Sequence, residues 1–314
     1  MTLPERVTIV EVGPRDGLQN ESAHIPTDVK VGFIALLSAA GLSVIEATSF
    51  VHPAAVPQLA DADEVYPRID RAAGVRYPVL VPTPRGLERA IAAGADEIAV
   101  VIGATDEFNQ ANLRRTRDAA LADAARVLTS ARGHSLRTRG YVSVAFGCPY
   151  AGTVAPQTTA DTAALLLDLG CDDISLGDTI GAATPADVER VLDAVLPRVP
   201  VDRLGLHAHD TRGQALANVY VALERGVTVI DSSAGGLGGC PFAGPGAAGN
   251  LATEDLVYFL DGMGIEHGVD LDGVLAASAF IAAHVGHGLR SQTFLAGGRP
   301  VTRPLPGTDA DDAV

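Results

Sequence analysis

Two histidines separated by a single residue, His207 and His209, follow an apolar run and indicate a metal site. Side chains two residues apart in an extended segment face the same way, so both imidazoles can approach one ion. Asp16 follows another apolar run and offers a carboxylate, and Asn250 offers an amide oxygen. Two imidazoles with hard oxygen ligands suit Mg2+ or Mn2+ better than structural Zn2+. The alternative is that one histidine is only a hydrogen-bonded group of the core.

Arg15 directly precedes Asp16 and could bind a carboxylate or a thioester oxygen. A guanidinium stabilises negative charge that develops on such an oxygen during a reaction. It also forms structural ion pairs, for which Glu46 and Asp178 are the candidate partners. Because the two roles can coexist, we predict Arg15 as a catalytic and substrate-binding residue.

The chain has three cysteines, and only Cys240 lies in a glycine-rich segment, behind Gly235, Gly236, Gly238 and Gly239. Such a loop can move or approach a ligand closely, so a thiol there could transfer a proton. An odd, sparse set of cysteines without CxxC spacing argues for a reducing compartment and against a disulfide framework.

Lys30 is the only lysine of the chain. A mechanism that needs a Schiff base must therefore use Lys30 or does not operate. The surrounding pattern predicts a helix over residues 27–40, away from the ends of the predicted strands. We therefore expect a metal ion and fixed donors to stabilise any carbanionic intermediate.

These residues need elements that bring them together, and eight short β-like runs alternate with amphipathic helical segments. Strand alternating with helix predicts a parallel sheet with crossover helices, and eight units suit a (β/α)8 TIM barrel of the α/β class. An open doubly wound sheet is the alternative. The predicted strands span residues 7–12, 44–50, 77–81, 97–102, 141–146, 173–176, 204–207 and 227–231.

A barrel places its active site at the carboxyl ends of its strands. Polar residues are concentrated there, which is where their burial would serve a ligand. The residues that we predict to bind substrate are Arg15, Gln19, Ser49, Tyr141, Ser175 and Thr179.

For the whole chain we predict a single barrel domain with a C-terminal helical extension over residues 1–298 and a disordered tail over 299–314. No run of 18 apolar residues occurs, so no membrane span is expected. The net charge of −15 opposes binding to nucleic acid or to anionic membranes. The chain begins without a charged-then-apolar leader, and we predict a cytoplasmic homo-oligomer, most simply a dimer.

Six stretches of the chain resemble the hydroxymethylglutaryl-CoA lyase family. The glycine-rich run before Cys240 is the most specific, because related synthases share the Arg-Asp-Gly and His-x-His elements but not this loop. The stretches are VEVGPRDGLQNE (10–21), LSVIEATSFVHP (42–53), RGYVSVAFGCPYAG (139–152), SLGDTIGAATP (175–185), HAHDTRGQALAN (207–218) and DSSAGGLGGCPFAG…GNLATEDLVY (231–258).

The resemblance implies a metal held by Asp16, His207, His209 and Asn250. It also implies catalytic roles for Arg15, Glu46 and Cys240, support of the site by Asp178, and an acyl-CoA thioester as substrate, with acetoacetate and acetyl-CoA as products. One departure affects Asn250, because the stretch from Cys240 to Asn250 is one residue longer than the family pattern.

The implied reaction is a retro-aldol cleavage, which leaves an enolate on the thioester. We expect His207 or Cys240 to take the hydroxyl proton, Arg15 to stabilise the enolate oxygen, and Cys240 or water to protonate the product. Two alternatives remain at this point: an acetyl-CoA-condensing synthase of the same barrel group, and a catalytically silent ligand-binding barrel.

Overall fold

The protein is described here by a computed structural model, which covers residues 3–239 and 249–300. Its centre is a nine-stranded sheet in which all neighbouring strands are parallel, in the order β2-β1-β9-β8-β7-β6-β5-β4-β3. The strands are β1 (Thr8–Glu11), β2 (Val44–Ile45), β3 (Thr48–Ser49), β4 (Val79–Leu80), β5 (Glu97–Gly103), β6 (Arg137–Ser143), β7 (Asp173–Asp178), β8 (Leu204–Ala208) and β9 (Val229–Ser232).

The first and last strands of this order, β2 and β3, belong to one short segment of chain. Between them, the amide of Glu46 donates to Glu11 O of β1 (2.8 Å), and the amide of Ala47 donates to Pro78 O beside β4 (2.9 Å). Residues 44–49 therefore bond to β1 on one side and to the β4 segment on the other.

Helices follow most strands, as the sequence predicts. Several begin at a threonine whose hydroxyl accepts a backbone N–H, such as Thr83 from Gly86 (3.2 Å), which satisfies an amide that has no helical partner. Among the described residues, no helix is long and apolar enough to span a bilayer. The helices are α1 (Thr27–Ala39), α2 (Ala62–Val65), α3 (Pro84–Ala92), α4 (Asp106–Leu113), α5 (Arg117–Gly133), α6 (Pro156–Asp168), α7 (Pro185–Val195), α8 (Ala215–Glu224), α9 (Thr253–Met263), α10 (Leu271–Val285) and α11 (Gln292–Leu295).

The two faces of the sheet differ, because successive side chains in a strand point to opposite sides. In β5, Ile98 and Val100 join the large apolar core shared with the helices, whereas Ala99 joins a small cluster with Leu80 and Tyr141. That second face also carries buried charged groups, such as Arg139 of β6. Buried charges need polar partners, so this face is expected to form a site and not an apolar core.

One predicted strand is displaced. The prediction placed it over residues 141–146, but β6 spans Arg137–Ser143. The chain leaves the strand at Val144, whose φ of 52° is left-handed. The start of β6 was missed because two arginines, Arg137 and Arg139, make this part of the sequence polar. Arg139 is nevertheless buried, because it pairs with Asp231, a contact that the sequence does not reveal.

Lys30 lies in α1, as predicted, and is buried. Its Nζ bonds to Asp61 Oδ1 (2.6 Å) and to the carbonyl oxygen of Gln58. Arg299, in the predicted tail, contacts Asp261 (2.5 Å), and residues 301–314 lie outside the described residues.

Candidate active site and metal centre

Three potential metal ligands meet where β1 and β8 end. Asp16 lies in a π-helical turn, Gly13–Gly17, that follows β1, while His207 is in β8 and His209 comes just after it. The nitrogens His207 Nε2 and His209 Nε2 are 3.2 Å apart, and each is 3.9 Å from Asp16 Oδ2. All three residues are nearly buried, and their ligand atoms lie within 4.8 Å of one another. The predicted Asp-His-His group is therefore assembled.

The electrostatics of this group suit a cation. Burial would raise the pKa of Asp16, but Arg15 and the two histidines lower it more, so the carboxyl stays ionised far below neutral pH. Burial and the neighbouring His207 lower the pKa of His209 to about 4. At neutral pH, the site therefore offers an anionic carboxylate and a neutral imidazole, the forms in which these groups bind metals.

Asn250 is beside the group, but it presents its nitrogen. Its backbone forms an isolated antiparallel β-bridge with His209. Its side-chain Nδ2 donates to Asp16 Oδ2 (2.9 Å) and to Leu237 O (3.0 Å). The prediction gave the amide oxygen to the metal. Asp16 Oδ2 and Leu237 O, which only accept hydrogen bonds, lie beside the amide nitrogen. Turning the amide over would place its oxygen beside these two oxygens, and only a bound cation would stabilise that arrangement.

Arg15 is fixed by two carboxylates. Its Nε donates to Glu46 Oε2 (2.7 Å), a second nitrogen lies 2.6 Å from the same oxygen, and a third contacts Asp16. Burial would lower the pKa of Arg15, but Glu46 and Asp16 raise it above its ordinary value. Of the two predicted partners, Glu46 is found and Asp178 is not.

Glu46 binds the Arg15 guanidinium but is not among the residues that line the cavity. Burial raises its pKa, and Arg15 opposes that effect. Its Oε2 also accepts from the Tyr141 hydroxyl (3.3 Å), while its buried Oε1 has no hydrogen-bond partner among the described residues. One carboxylate oxygen thus positions Arg15, and the other is uncommitted.

The cavity beside these residues has a volume of about 380 Å3. Five of the six predicted substrate-binding residues line it, and they are Arg15, Gln19, Ser49, Tyr141 and Thr179. Gln19 also donates to Asp16 Oδ1 (2.8 Å). Apolar residues also line the cavity, and they include Val51, Val56, Leu80, Pro82, Val101, Phe108 and Leu113.

Like Glu46, the predicted residues Ser175 and Asp178 do not line this cavity. Ser175 is fully buried, and its hydroxyl donates to Asp231 Oδ2 (3.0 Å). The Asp178 carboxylate accepts from the amides of Ala182 (2.9 Å) and Ala183 (3.0 Å), and burial raises its pKa. Asp178 therefore shapes the turn after β7. Cys240 lies outside the described residues, although Gly239 before it lines the cavity.

Two charged residues of the site were not predicted. Asp231, at the end of β9, lies 3.1 Å from His207 Nδ1, and Arg139 of β6 donates to its other oxygen (2.7 Å). Burial would raise the pKa of Asp231, but Arg139 and His207 lower it below the ordinary value. A signal was present, because Arg139 is two residues before Tyr141 and therefore shares its face of the strand.

Comparison with known proteins agrees with this geometry. A family model described as HMGL-like matches residues 6–281. The mitochondrial hydroxymethylglutaryl-CoA lyase of Rattus norvegicus is 54% identical over 280 residues, which cover 89% of this chain and 86% of the relative. The cytoplasmic 3-hydroxy-3-methylglutaryl-CoA lyase of the same organism is 51% identical over 283 residues, which cover 90% of this chain and 82% of the relative.

A solved structure also matches along its whole length. It is an HMG-CoA lyase from Acinetobacter baumannii in complex with coenzyme A and 3-methylmalate, with a TM-score of 0.92 and 39% identity, covering 98% of this chain and 100% of that one. The chain belongs to the HMGL-like family, because the family model covers most of its length. The resemblance found in the sequence is thereby confirmed.

Proposed function

We propose that this protein is a hydroxymethylglutaryl-CoA lyase, which cleaves 3-hydroxy-3-methylglutaryl-CoA or a close 3-substituted analogue to acetyl-CoA and acetoacetate. The observation that carries the proposal is the Asp16, His207 and His209 group beside Arg15, in a cavity lined by both polar and apolar residues. Relatives of about half-identical sequence bear that name.

The fold that we propose for this function is a closed (β/α)8 barrel in one domain over residues 1–298. It treats β2 and β3 as one interrupted strand, so the nine strands become eight. The hydrogen bonds of residues 44–49 to both sides support closure. In this interpretation α10 and α11 are additions to the barrel, and they follow its last helix, α9.

The donor set fits a divalent cation, for which we propose Mg2+ or Mn2+. Asp16, His207 and His209 would hold it, and Asn250 would join them with its oxygen if its amide turned over. When bound, such an ion polarises oxygens of the substrate and stabilises negative charge on them. The longer stretch before Asn250 makes this fourth ligand the least supported of the set.

The chemistry assigned to the chain's own residues is a retro-aldol step. A base takes the proton of the 3-hydroxyl, the bond between C2 and C3 breaks, and the electron pair forms the thioester enolate. Arg15 lines the cavity with its guanidinium fixed by Glu46 and Asp16, and it stabilises the enolate oxygen. Protonation of C2 then gives acetyl-CoA.

We assign the role of the base to Cys240 from the sequence, since Cys240 lies outside the described residues. His207 Nδ1 faces Asp231, and a metal held by Nε2 would use the remaining lone pair, so His207 would then have none left for a hydroxyl proton. A Cys240 thiolate can take that proton and return it to C2, which balances the reaction. The contact of Asn20 Nδ2 with Gly239 O (3.0 Å) fixes the chain beside the cavity just before Cys240.

An acyl-CoA partner is supported by the coenzyme A in the Acinetobacter baumannii structure. A cytoplasmic location stays a prediction, since the relatives carry both mitochondrial and cytoplasmic names. A homodimer also stays a prediction.

The decisive test is a substrate screen read by mass spectrometry. The purified protein, loaded with Mn2+, is incubated with a series of 3-hydroxyacyl-CoA thioesters. The proposal expects acetyl-CoA and acetoacetate from 3-hydroxy-3-methylglutaryl-CoA. Net consumption of acetyl-CoA with a keto acid would instead indicate a condensing synthase, and binding without turnover would indicate a silent ligand-binding barrel.

A further inference from the structure

We infer that Asp231, braced by Arg139, is a positioning residue that fixes the tautomer of His207. The carboxylate holds the hydrogen on Nδ1, so the lone pair of Nε2 points toward Asp16 and His209. This inference rests on the proposed metal-dependent function and assigns a role to two residues behind the proposed ligands.

The contacts around Asp231 define the arrangement. Asp231 Oδ2 faces His207 Nδ1 (3.1 Å) and accepts from the Ser175 hydroxyl (3.0 Å), while Oδ1 accepts from Arg139 (2.7 Å). His207 and Asp231 are paired across β8 and β9, so the sheet itself sets this spacing. The side chain of Asp231 has no exposed surface, and that of Arg139 is 4% exposed.

A paired carboxylate restricts the imidazole. Ionised oxygens only accept hydrogen bonds, so the ring nitrogen that faces them must carry the hydrogen. The other nitrogen then has its lone pair free for a ligand bond. Hydrogen bonds of this kind orient metal-binding histidines and raise their basicity.

His209 provides the contrast within the same group. Its Nδ1 is buried and has no hydrogen-bond partner among the described residues. The structure therefore specifies one tautomer for His207 and leaves that of His209 open. Of the two histidines, His207 is the one whose lone pair is aimed before any ion arrives.

Arg139 has a second contact that fixes its own place. Its guanidinium lies 5.1 Å from the centre of the Tyr141 ring, and Arg15 lies 5.5 Å from the same ring. A guanidinium near an aromatic ring in a buried setting is held by cation–π attraction. Arg139 of β6 thus contacts both the Tyr141 ring and Asp231.

The tautomer can be read directly in the unaltered protein. In metal-free protein labelled with 15N-histidine, at alkaline pH where imidazoles are neutral, nitrogen NMR distinguishes the Nδ1–H from the Nε2–H form. We expect Nδ1–H at His207, assigned by the signal that disappears in His207→Gln. An Nε2–H form at His207 would overturn the inference, and this readout requires neither metal binding nor activity.

Mn2+ affinity, measured by calorimetry, tests the consequence. Asp231→Asn should weaken Mn2+ binding roughly 10- to 100-fold, the range for partners behind a metal ligand. Ser175→Ala is the matched control, because it removes a neutral contact to the same oxygen, and it should change affinity less than about threefold.

A second variant separates positioning from folding. Arg139→Met combined with Asp231→Leu removes both charges, and such a replacement of a buried ion pair is often neutral for stability. We expect a folded protein with the same loss of Mn2+ affinity as Asp231→Asn. Parental affinity in either variant would overturn the inference, whereas absent lyase activity with normal Mn2+ affinity would count only against the proposed function.

Discussion

Arg15 is held by two carboxylates, and this arrangement decides what it can do. Its contacts with Glu46 Oε2 use two nitrogens of one planar fork, and a third nitrogen reaches Asp16. A lysine ammonium is a single point charge and cannot make all three contacts at once. The shape of the guanidinium, in addition to its charge, therefore maintains the site.

Arg15→Lys should lower kcat by about 100-fold or more, the usual cost of losing a donor that stabilises developing charge. Arg76→Lys is the control, because Arg76 also pairs with a buried carboxylate, Glu97 (2.9 Å), but lies outside the cavity. Its kcat should stay within about threefold of the parent, while both variants lose some stability. Steady-state kinetics with melting curves check this, and equal kcat values for the two variants would refute the role of Arg15.

Cys240 is the residue whose chemistry can be tested apart from its structure. Cys240→Ala should retain Mn2+ affinity yet lose roughly 100- to 10,000-fold in kcat, the range for a positioned acid–base group. Cys240→Ser should recover little, because an unactivated hydroxyl is a much weaker acid. Cys171→Ala is the control, since Cys171 is buried in the core with its pKa raised by burial to about 12. Parental turnover by Cys240→Ala would assign the proton transfer to another group.

The site residues that could be predicted are those whose role is indicated by the local sequence around them. His207 and His209 share a face by spacing alone, and Asp16 follows a strand end. The pair of Asp231 and Arg139 was not predicted, because the two residues are 92 positions apart and come into contact only when β6 and β9 are part of one sheet. The orientation of the Asn250 amide likewise depends on Leu237 O and Asp16, which no local pattern reveals.

At the scale of elements, two buried acids anchor the turn after β9. Glu11 Oε1 accepts from the amides of Gly13 (2.7 Å) and Ala234 (2.9 Å), so it joins the Arg15 turn to that segment. Glu254 of α9 accepts from the amide of Gly235 (2.9 Å), and Ser278 of α10 donates to it. The glycine-rich segment is therefore fixed at its start by side chains from two elements, β1 and α9, and Ser278 of α10 holds the second of them.

Burial raises the pKa of Glu254 to about 7 from its ordinary value of 4.5. Since the folded state binds this proton more tightly, its contribution to stability is complete below about pH 4.5 and is lost as pH rises through about 7, by at most about 3 kcal/mol. In Glu254→Gln, which stays neutral, the free energy of unfolding should fall less between these pH values than in the parent.

Urea unfolding at several pH values measures this difference. Glu107→Gln, on the exposed first turn of α4, is the control and should follow the parent curve. Parallel curves for Glu254→Gln and the parent would contradict a protonated Glu254 in the folded protein.

Element boundaries were predictable where periodicity and capping agree, and not elsewhere. The sequence predicted helix α1 within one residue, because apolar spacing and a following glycine coincide. The predicted strand over residues 44–50 is interrupted at Glu46 and Ala47, whose amides bond to different neighbours. That interruption follows from the curvature of the whole sheet, which a local pattern does not record.

At the scale of the whole molecule, the sheet gathers at one edge groups that are distant in sequence. The turn after β1 brings Arg15 and Asp16, β8 brings His207, and the segment after residue 249 brings Asn250. The net charge of −15 repels anions from the molecule as a whole, and Arg15 is the guanidinium among the described residues that line the cavity at this edge.

The central claim is that carbon–carbon cleavage depends on a divalent ion held by Asp16, His207 and His209. It is tested most directly by treating the protein with a chelator, verifying metal removal by elemental analysis, and measuring acetoacetate from 3-hydroxy-3-methylglutaryl-CoA. The account predicts no cleavage by the stripped protein, recovery with Mg2+ or Mn2+, and no recovery in Asp16→Asn. Full cleavage by protein shown to be free of metal would contradict it.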